Sequence, residues 1–474
     1  MRIFRWVVSA CLFCFSADIA SNEIPMWEIG SAVSQALKAN RNFITGLESV
    51  ERADLNLEYE LSEYDWKVSP NSRLAYTDDG NGNGVKFAPE IGCDFSKKFM
   101  SGTKFFFSPK FSKMGKQVLT NMRAMITQPL FRGLGYWYTT ARVQGASFQY
   151  RAAVRNMHVA RVKLIVKVIT SIYDIIKLEE VVRLNEESCE RLGGCVTAAR
   201  LKEKIGLSDS LDVYRAETEL RHAEENLTNA QERLQEGYDL FRELLALPMD
   251  LPIKVCAPMQ YYDLECDMDE AIQTALSYRI EIDQAQDNIY EQKRIVSWAD
   301  QNLWPDLNLL LDYQVAKNRL GARFEDENGQ EYFTYDWYKK RPNWTVGFSS
   351  QSDLHRSGEK LFYDNSLLAM DAAYRNMEQT EVNVTMEVKR ALRTLKLTSK
   401  RIELQEEQIK TAEGELYLSQ IKFSRGMANN FDVIQAEKNL RTAHIAYLSA
   451  VVDHINGEYQ LKGVLGTLAD KPCF

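Results

Sequence analysis

The chain has 474 residues, 45% of them hydrophobic and 26% charged, and a formal net charge of -8. That length matches about three ordinary domains, and the acidic excess excludes the basic face that a nucleic-acid binder needs. No stretch reaches the roughly 18 uninterrupted apolar residues of a membrane-spanning helix, which excludes a helical membrane protein.

Residues 1–20 read as a secretory signal: Arg2 and Arg5, the apolar run Trp6–Phe15, then the small residues Ser16, Ala17 and Ala20. Val8-Ser9-Ala10-Cys11 also resembles a lipobox, but the apolar run before Cys11 is short, so lipidation is the minor reading. Export leaves Cys93, Cys189, Cys195, Cys256, Cys266 and Cys473 in a compartment that permits disulfides. Cys256 and Cys266 bracket a short loop and form the candidate pair. There is no CxxC, and His158, His222, His355, His444 and His454 are scattered, so neither a metal site nor a cofactor is predicted. Without a nucleophile elbow or a phosphate loop, no enzyme is predicted either.

Residues 21–65 carry Ala32, Ala36-Leu37 and Leu47 at helical spacing and predict a short helix. Residues 66–131 then switch to a period of two: Val68, Leu74 and Tyr76, and later Met122, Ala124 and Ile126, alternate with polar neighbours. Phe105, Phe107 and Phe111 do the same and make 85–112 a candidate extra hairpin. Asp78–Gly84 superficially resembles a calcium loop but lacks the closing glutamate, so a hairpin connector is expected.

Residues 132–250 predict a long helical hairpin with its tip near 206, because no proline occurs between Pro129 and Pro248. Its longer arm would span on the order of 100 Å at 1.5 Å per residue. Val162, Ile165, Ile169, Ile172 and Ile176 form a coiled-coil seam. Leu164, Val168 and Ile175 widen it, as a helix with two neighbours requires. A proline-bearing linker, 251–266, leads to a second short helix at 267–303 and a second strand region at 304–354. There Leu307, Leu309, Leu311 and Tyr313, and Trp344, Val346 and Phe348, alternate with polar residues around a polar connector at 317–341. A second proline-free stretch predicts another long hairpin at 355–468, with its tip near 426 and a tail at 469–474.

The halves repeat each other. Gly206-x5-Asp212-Val213-x2-Ala216-Glu217-x2-Leu220-Arg221 returns ungapped, 220 residues later, as Gly426-x5-Asp432-Val433-x2-Ala436-Glu437-x2-Leu440-Arg441. Such a repeat predicts two similar elements packed about a pseudo-axis. Trp66, Tyr76, Phe131, Tyr136, Trp137, Trp304, Trp337, Tyr338 and Trp344 crowd the strand regions like the aromatic girdles of a membrane barrel. A water-soluble sandwich with aromatic core positions is the alternative. Four strands cannot stand alone in lipid, where every edge amide is unsatisfied. Three copies of four would make twelve, and a threefold axis would arrange the long helices as a hollow cylinder.

In this order, the sequence resembles the TolC family of outer-membrane efflux proteins. Gln128-Pro129-Leu130-Phe131-Arg132-Gly133 resembles the family's strand-to-helix passage, Trp304-Pro305-Asp306-Leu307 its helix-to-strand passage, and the duplicated motif its periplasmic helix turns. The resemblance implies a mainly α chain with a membrane β part. Long antiparallel coiled-coil helices would form an α-barrel, and four or six strands per protomer would enter a trimeric β-barrel. It implies a homotrimeric outer-membrane channel in contact with lipid, recruited by a periplasmic adaptor and an inner-membrane transporter for efflux or type I secretion. The competing class is an exported coiled-coil structural or surface-attachment protein.

Gly206 and Gly426 permit the reversals, and Ser208, Asp209, Ser210, Asn429 and Asn430 suit the caps of the returning helices. Asp212 and Asp432 fall in first helical turns, where a carboxylate is favourable. The resemblance also gives Asp432 the place of a carboxylate ring across a closed iris. The family's second acidic ring falls on Gln435, and its tyrosine and arginine locking positions fall on Phe423 and Ala428. Gly206, Leu207, Ser208, Gly426 and Met427 are the expected adaptor-docking turns.

Overall fold

The computed structural model describes residues 25–77, 86–114, 117–206, 209–262, 267–325, 331–339, 342–352, 355–425 and 427–472. The expected signal, the 78–85 connector, Cys266 and Cys473 lie outside them, and with Cys266 the expected Cys256–Cys266 pairing. The first half runs β1 (Met26–Trp27), α1 (Ile29–Ala39), α2 (Arg41–Leu61), a 3-10 turn (Ser62–Tyr64), β2 (Lys67–Thr77), β3 (Lys86–Lys98), β4 (Lys104–Met114), β5 (Gln117–Pro129), α3 (Tyr136–Thr139), α4 (Ala141–Lys204) and α5 (Ser210–Leu245). After β6 (Lys254–Val255), the second half runs α6 (Met268–Tyr278), α7 (Ile280–Asn302), β7 (Leu307–Glu325), β8 (Glu331–Lys339), β9 (Asn343–Ser350), α8 (Ser357–Ser424) and α9 (Asn430–Leu465). The order helix pair, strands, long helix, shorter helix thus occurs twice. α1 and α6 have 11 residues each, α5 and α9 have 36 each, and α4 and α8 have 64 and 68. The chain divides into two compact units, one built from residues up to Glu48, Asn156–Ile280 and those from Glu381, the other from Ser49–Arg155 and Glu281–Thr380.

In the first unit, α1 packs on α5 and α6 on α9. Small residues let the backbones approach: Ala32, Ala36, Ala271 and Ala275 are all buried. Each segment expected as one short helix is in fact two. The backbone turns extended at Asn40 and Arg279, whose N–H groups close the preceding helices on Ala36 O and Ala275 O at 2.9 Å. Asn40 makes the break useful by accepting the Phe43 N–H at 3.1 Å and donating to Leu244 O at 2.9 Å. The apolar stripe of α4 divides between two clusters. Val168, Ile172 and Ile175 pack with Ala32, Ala36, Phe241 and Leu245, while Ile169 and Tyr173 pack with Ile402, Val451, Val452 and Ile455. β1 and β6 pair in parallel, Met26 with Lys254 and Trp27 with Val255, tying the linker to the N-terminal segment.

The second unit holds one sheet of seven strands in the order β2-β3-β4-β5-β7-β8, with β9 also on β7. All its pairings are antiparallel. β9 pairs with Leu307–Gln314 and β8 with Lys317–Glu325, the register shifting by one residue between them. They form a single row, interrupted as a β-bulge interrupts a strand. The sheet therefore has six rows. The candidate hairpin at 85–112 is present as β3 and β4, placed between β2 and β5. The expected connector at 317–341 is a correction: most of it is paired strand, β7 into β8. Its β-forming Tyr332, Phe333, Tyr335, Trp337 and Tyr338 outweigh its polar residues.

Candidate functional site

Two regions are candidate functional sites, one in each unit. The first is the pair of helix turns where α4 meets α5 and α8 meets α9. Gly206 takes φ 74°, the left-handed conformation that glycine adopts without penalty, and its N–H closes on Glu203 O at 2.9 Å. The returning helices start from extended N-caps, Asp209 and Asn429. At the second turn Asp432 occupies a capping box, its carboxylate accepting the Asn429 N–H at 3.3 Å. Asp432 and Gln435 are exposed on one face of α9, and Gln435 donates to Asn439 at 2.9 Å, which in turn donates to Glu415 at 3.2 Å. Asp212 is half-buried in the first turn of α5. Ala428 is half-buried beside exposed Met427; Leu207, Ser208 and Gly426 lie outside the described residues.

The turns also hold contacts that the motifs do not signal. The Lys202 ammonium donates to Phe423 O at 3.2 Å and lies 3.2 Å from the centroid of the Phe423 ring. A cation over an aromatic face is attracted by the ring quadrupole. The end of α4 is thereby fastened to the end of α8. Arg191 of α4 is hydrogen-bonded to Glu437 of α9, whose side chain is only 4% exposed. Leu192, Val196, Ala199, Val213, Ala216, Ala223 and Ile434 pack together beneath these polar contacts. Burial pushes the Cys195 and Cys189 thiols up, so both sit protonated at neutral pH. Equivalent positions in the repeat do different work: Glu217 pairs with Arg200 inside its own hairpin and is half-exposed, whereas Glu437 is buried against α4. Lys202 matches Lys422 in the repeat, the only trace in the sequence that could have drawn attention to it.

The second region is the sheet. The pairings place Val68, Leu74, Tyr76, Phe87, Ile91, Phe111, Met122, Ile126, Leu311, Tyr313, Trp344, Val346 and Phe348 on one face, and every one of them is exposed. Tyr76 is 75% exposed, Trp344 71% and Phe348 70%, values that no ordinary water-facing sheet tolerates together. The other face is polar and internally satisfied. Arg123 grips Asp312 through two hydrogen bonds of 3.0 and 2.9 Å, Asn71 donates to Asp94 at 2.7 Å, Ser108 also donates to Asp94, and Gln314 donates to Asn121 at 3.1 Å. Gly92 lies on this face because a Cβ there would meet Asn71 Oδ1 at 2.5 Å. Aromatic pairs gather near the strand ends, Trp66 on Phe105 and Phe131 on Trp304. Among the described residues no His, Cys, Asp and Glu cluster is arranged to hold a metal, and no helix is long and apolar enough to cross a membrane.

Residues 271–467 match the model of the outer membrane efflux protein family. No curated protein sequence matches the chain. In fold it is similar to the CmeC outer membrane channel of Campylobacter jejuni, at TM-score 0.70 and 14% identity over 93% of this chain and 87% of that one. It is similar to the outer membrane protein VceC of Vibrio cholerae, at TM-score 0.69 and 14% identity over 92% and 96%. The open state of the MtrE outer membrane channel of Neisseria gonorrhoeae follows at TM-score 0.63 and 16% identity over 92% and 88%. The second half of the chain thus matches the outer membrane efflux protein family, and the fold along nearly all its length is that of outer membrane channels.

Proposed function

We propose that the chain is the exit duct of a tripartite efflux or type I secretion system, a passive homotrimeric conduit gated at its periplasmic helix turns. The sheet carries this reading. One whole face of apolar side chains is bare, and β2 and the β9–β8 row have no outer neighbour among the described residues. Lipid is the solvent in which such a face is stable, and lipid also forbids open edges, so further copies are needed to complete the wall. A structural coiled-coil protein in water would have no use for that face.

On this reading the helix turns of three copies meet on the axis. Three Asp432 carboxylates there would attract cations. The Lys202–Phe423 contact supports a closed state held without the polar locks missing at Phe423 and Ala428. A periplasmic adaptor and an inner-membrane transporter would dock at the turns containing Gly206, Leu207, Ser208, Gly426 and Met427. Exposed Ile205 and Met427 support an apolar contact with the adaptor.

Single-channel recording of the mature protein in planar bilayers, beside Asp432→Ala, tests the reading. Discrete steps are expected, with larger conductance or weaker cation preference in the variant. Unchanged steps would reduce Asp432 to its capping box. A well-folded oligomer that never conducts, even with its adaptor present, would overturn the duct.

A further inference from the structure

We infer that each copy contributes six strand rows to the membrane wall, so that the assembled barrel has eighteen strands, with β2 of one copy pairing against the β9–β8 row of the next. The inference rests on the trimeric-duct reading above and sharpens it. A count of four rows per copy, and hence twelve in the wall, follows only if β3 and β4 stand outside the barrel.

The pairing places them inside. β2 is bound to β3 along all of Lys67–Thr77, and β5 is bound to β4 along Gln117–Thr127. β5 is also bound to β7 on its other side, so it has no edge left to meet β2, and removing β3 and β4 would leave a gap two strands wide. Their length agrees. β3 has 13 residues and β4 has 11, and a tilted strand needs about 9–11 residues to cross a bilayer.

Their chemistry agrees as well. Phe87, Ile91 and Phe111 lie on the same face as Val68, Ile126 and Leu311, and all are bare. On the polar face, Asp94 of β3 receives hydrogen bonds from Asn71 of β2 and Ser108 of β4. Lys110 of β4 lies 3.7 Å from Glu90 of β3. A hairpin projecting into water beyond the membrane would need neither the apolar face nor continuity of the polar one.

The edges supply the partner. Six rows fall short of the eight of the smallest common barrel, so one copy does not close on itself. Three copies of six rows give eighteen, an even number that joins every β2 edge to a β9–β8 edge. With about 4.8 Å between strands and a tilt near 40°, eighteen strands close at a backbone diameter of about 36 Å, against about 24 Å for twelve. The cross-section at the outer membrane would be roughly twice as large, lined by the polar Arg123–Asp312 face. Cargo size would then be limited at the helix turns and not in the membrane.

Electron cryo-microscopy of the full-length protein in lipid nanodiscs tests this directly. A trimer whose wall contains eighteen strands is expected. A trimer with twelve would overturn the inference and leave the duct reading standing. A dimer or a single copy would overturn both. Deleting Lys86–Met114, so that residues 78–85 join β2 to β5, supplies a second readout. The barrel should narrow by about a third; an unchanged diameter would show that β3 and β4 never belonged to the wall. If the deletion does not assemble, the strand count of the intact protein decides.

Discussion

Phe423 has no hydroxyl, yet both its ring and its carbonyl meet the Lys202 ammonium. A partly exposed cation–π contact contributes about 1 kcal/mol. On the gated-duct reading, Lys202→Met, which keeps the chain length and removes the charge, should destabilise the closed tip by about that much. Longer or more frequent openings in bilayers are expected, with the melting of the whole oligomer unchanged. Gating identical to wild type would leave Lys202 a packing residue. Backbone conformation offers a second test, one that depends on no assembly. α5 ends in left-handed Ala246, φ 54°, where the repeat ends α9 with Gly466, φ 77°. The following amides close the two ends alike, Leu247 on Arg242 O at 2.9 Å and Thr467 on Lys462 O at 3.1 Å. A side chain in that conformation costs about 1 kcal/mol, so Ala246→Gly should raise the thermal midpoint by a corresponding few degrees. No rise would mean that Ala246 packing outweighs the strain. The turn glycine and both caps at Asp209 and Asn429 were legible because capping is local. Lys202 was not, since its partner lies 221 residues away and only the meeting of two hairpins creates the contact.

Between helices, α4 and α7 are clamped by a single carboxylate. Asp287 accepts from Arg151 at 2.9 Å and from Arg155 at 2.7 Å, while Arg155 also donates to Gln284 at 3.0 Å. Burial alone would raise the Asp287 carboxyl, but the two guanidinium hydrogen bonds outweigh it and hold the group below its ordinary 3.8. A lowered folded pKa contributes stability that is complete above the ordinary value and is lost as pH falls through the folded one. Asp287→Asn should therefore destabilise at neutral pH by about 3 kcal/mol, because the buried Arg155 loses the carboxylate that accepts its hydrogen bond. Thermal melting from pH 7 down to pH 3 should show the gap between wild type and variant closing at the acid end. A gap that stays constant would remove the ion pair from the argument. The elements themselves were unevenly readable. The α4 stripe announced two neighbours because 3.6-residue periodicity survives in a long helix, and its Val168 and Ile169 do enter different clusters. β3 was obscured by Pro89, Gly92 and Lys97, which break the alternation of Phe87, Ile91 and Phe95 that only pairing with β2 and β4 makes visible. The breaks at Asn40 and Arg279 left no periodic signal, since both helices of each pair keep an apolar face.

For the molecule as a whole, the ungapped repeat at an offset of 220 residues is matched by an element order that runs twice, and the proline-free stretches by its longest helices. The number of strand rows was not fixed by the repeat, because β3 and β4 occur in one half only. The edges of β2 and the β9–β8 row, which have no outer neighbour among the described residues, have a consequence in genetics. On the trimeric-duct reading, a wall completed by neighbouring chains makes every copy answerable for the others, so an allele that spoils one edge should be dominant over the normal gene. With two alleles equally expressed and mixing at random, about one trimer in eight would be free of the defective chain. Lesions confined to a chain's own interior, which prevent it from reaching the membrane at all, should instead be recessive.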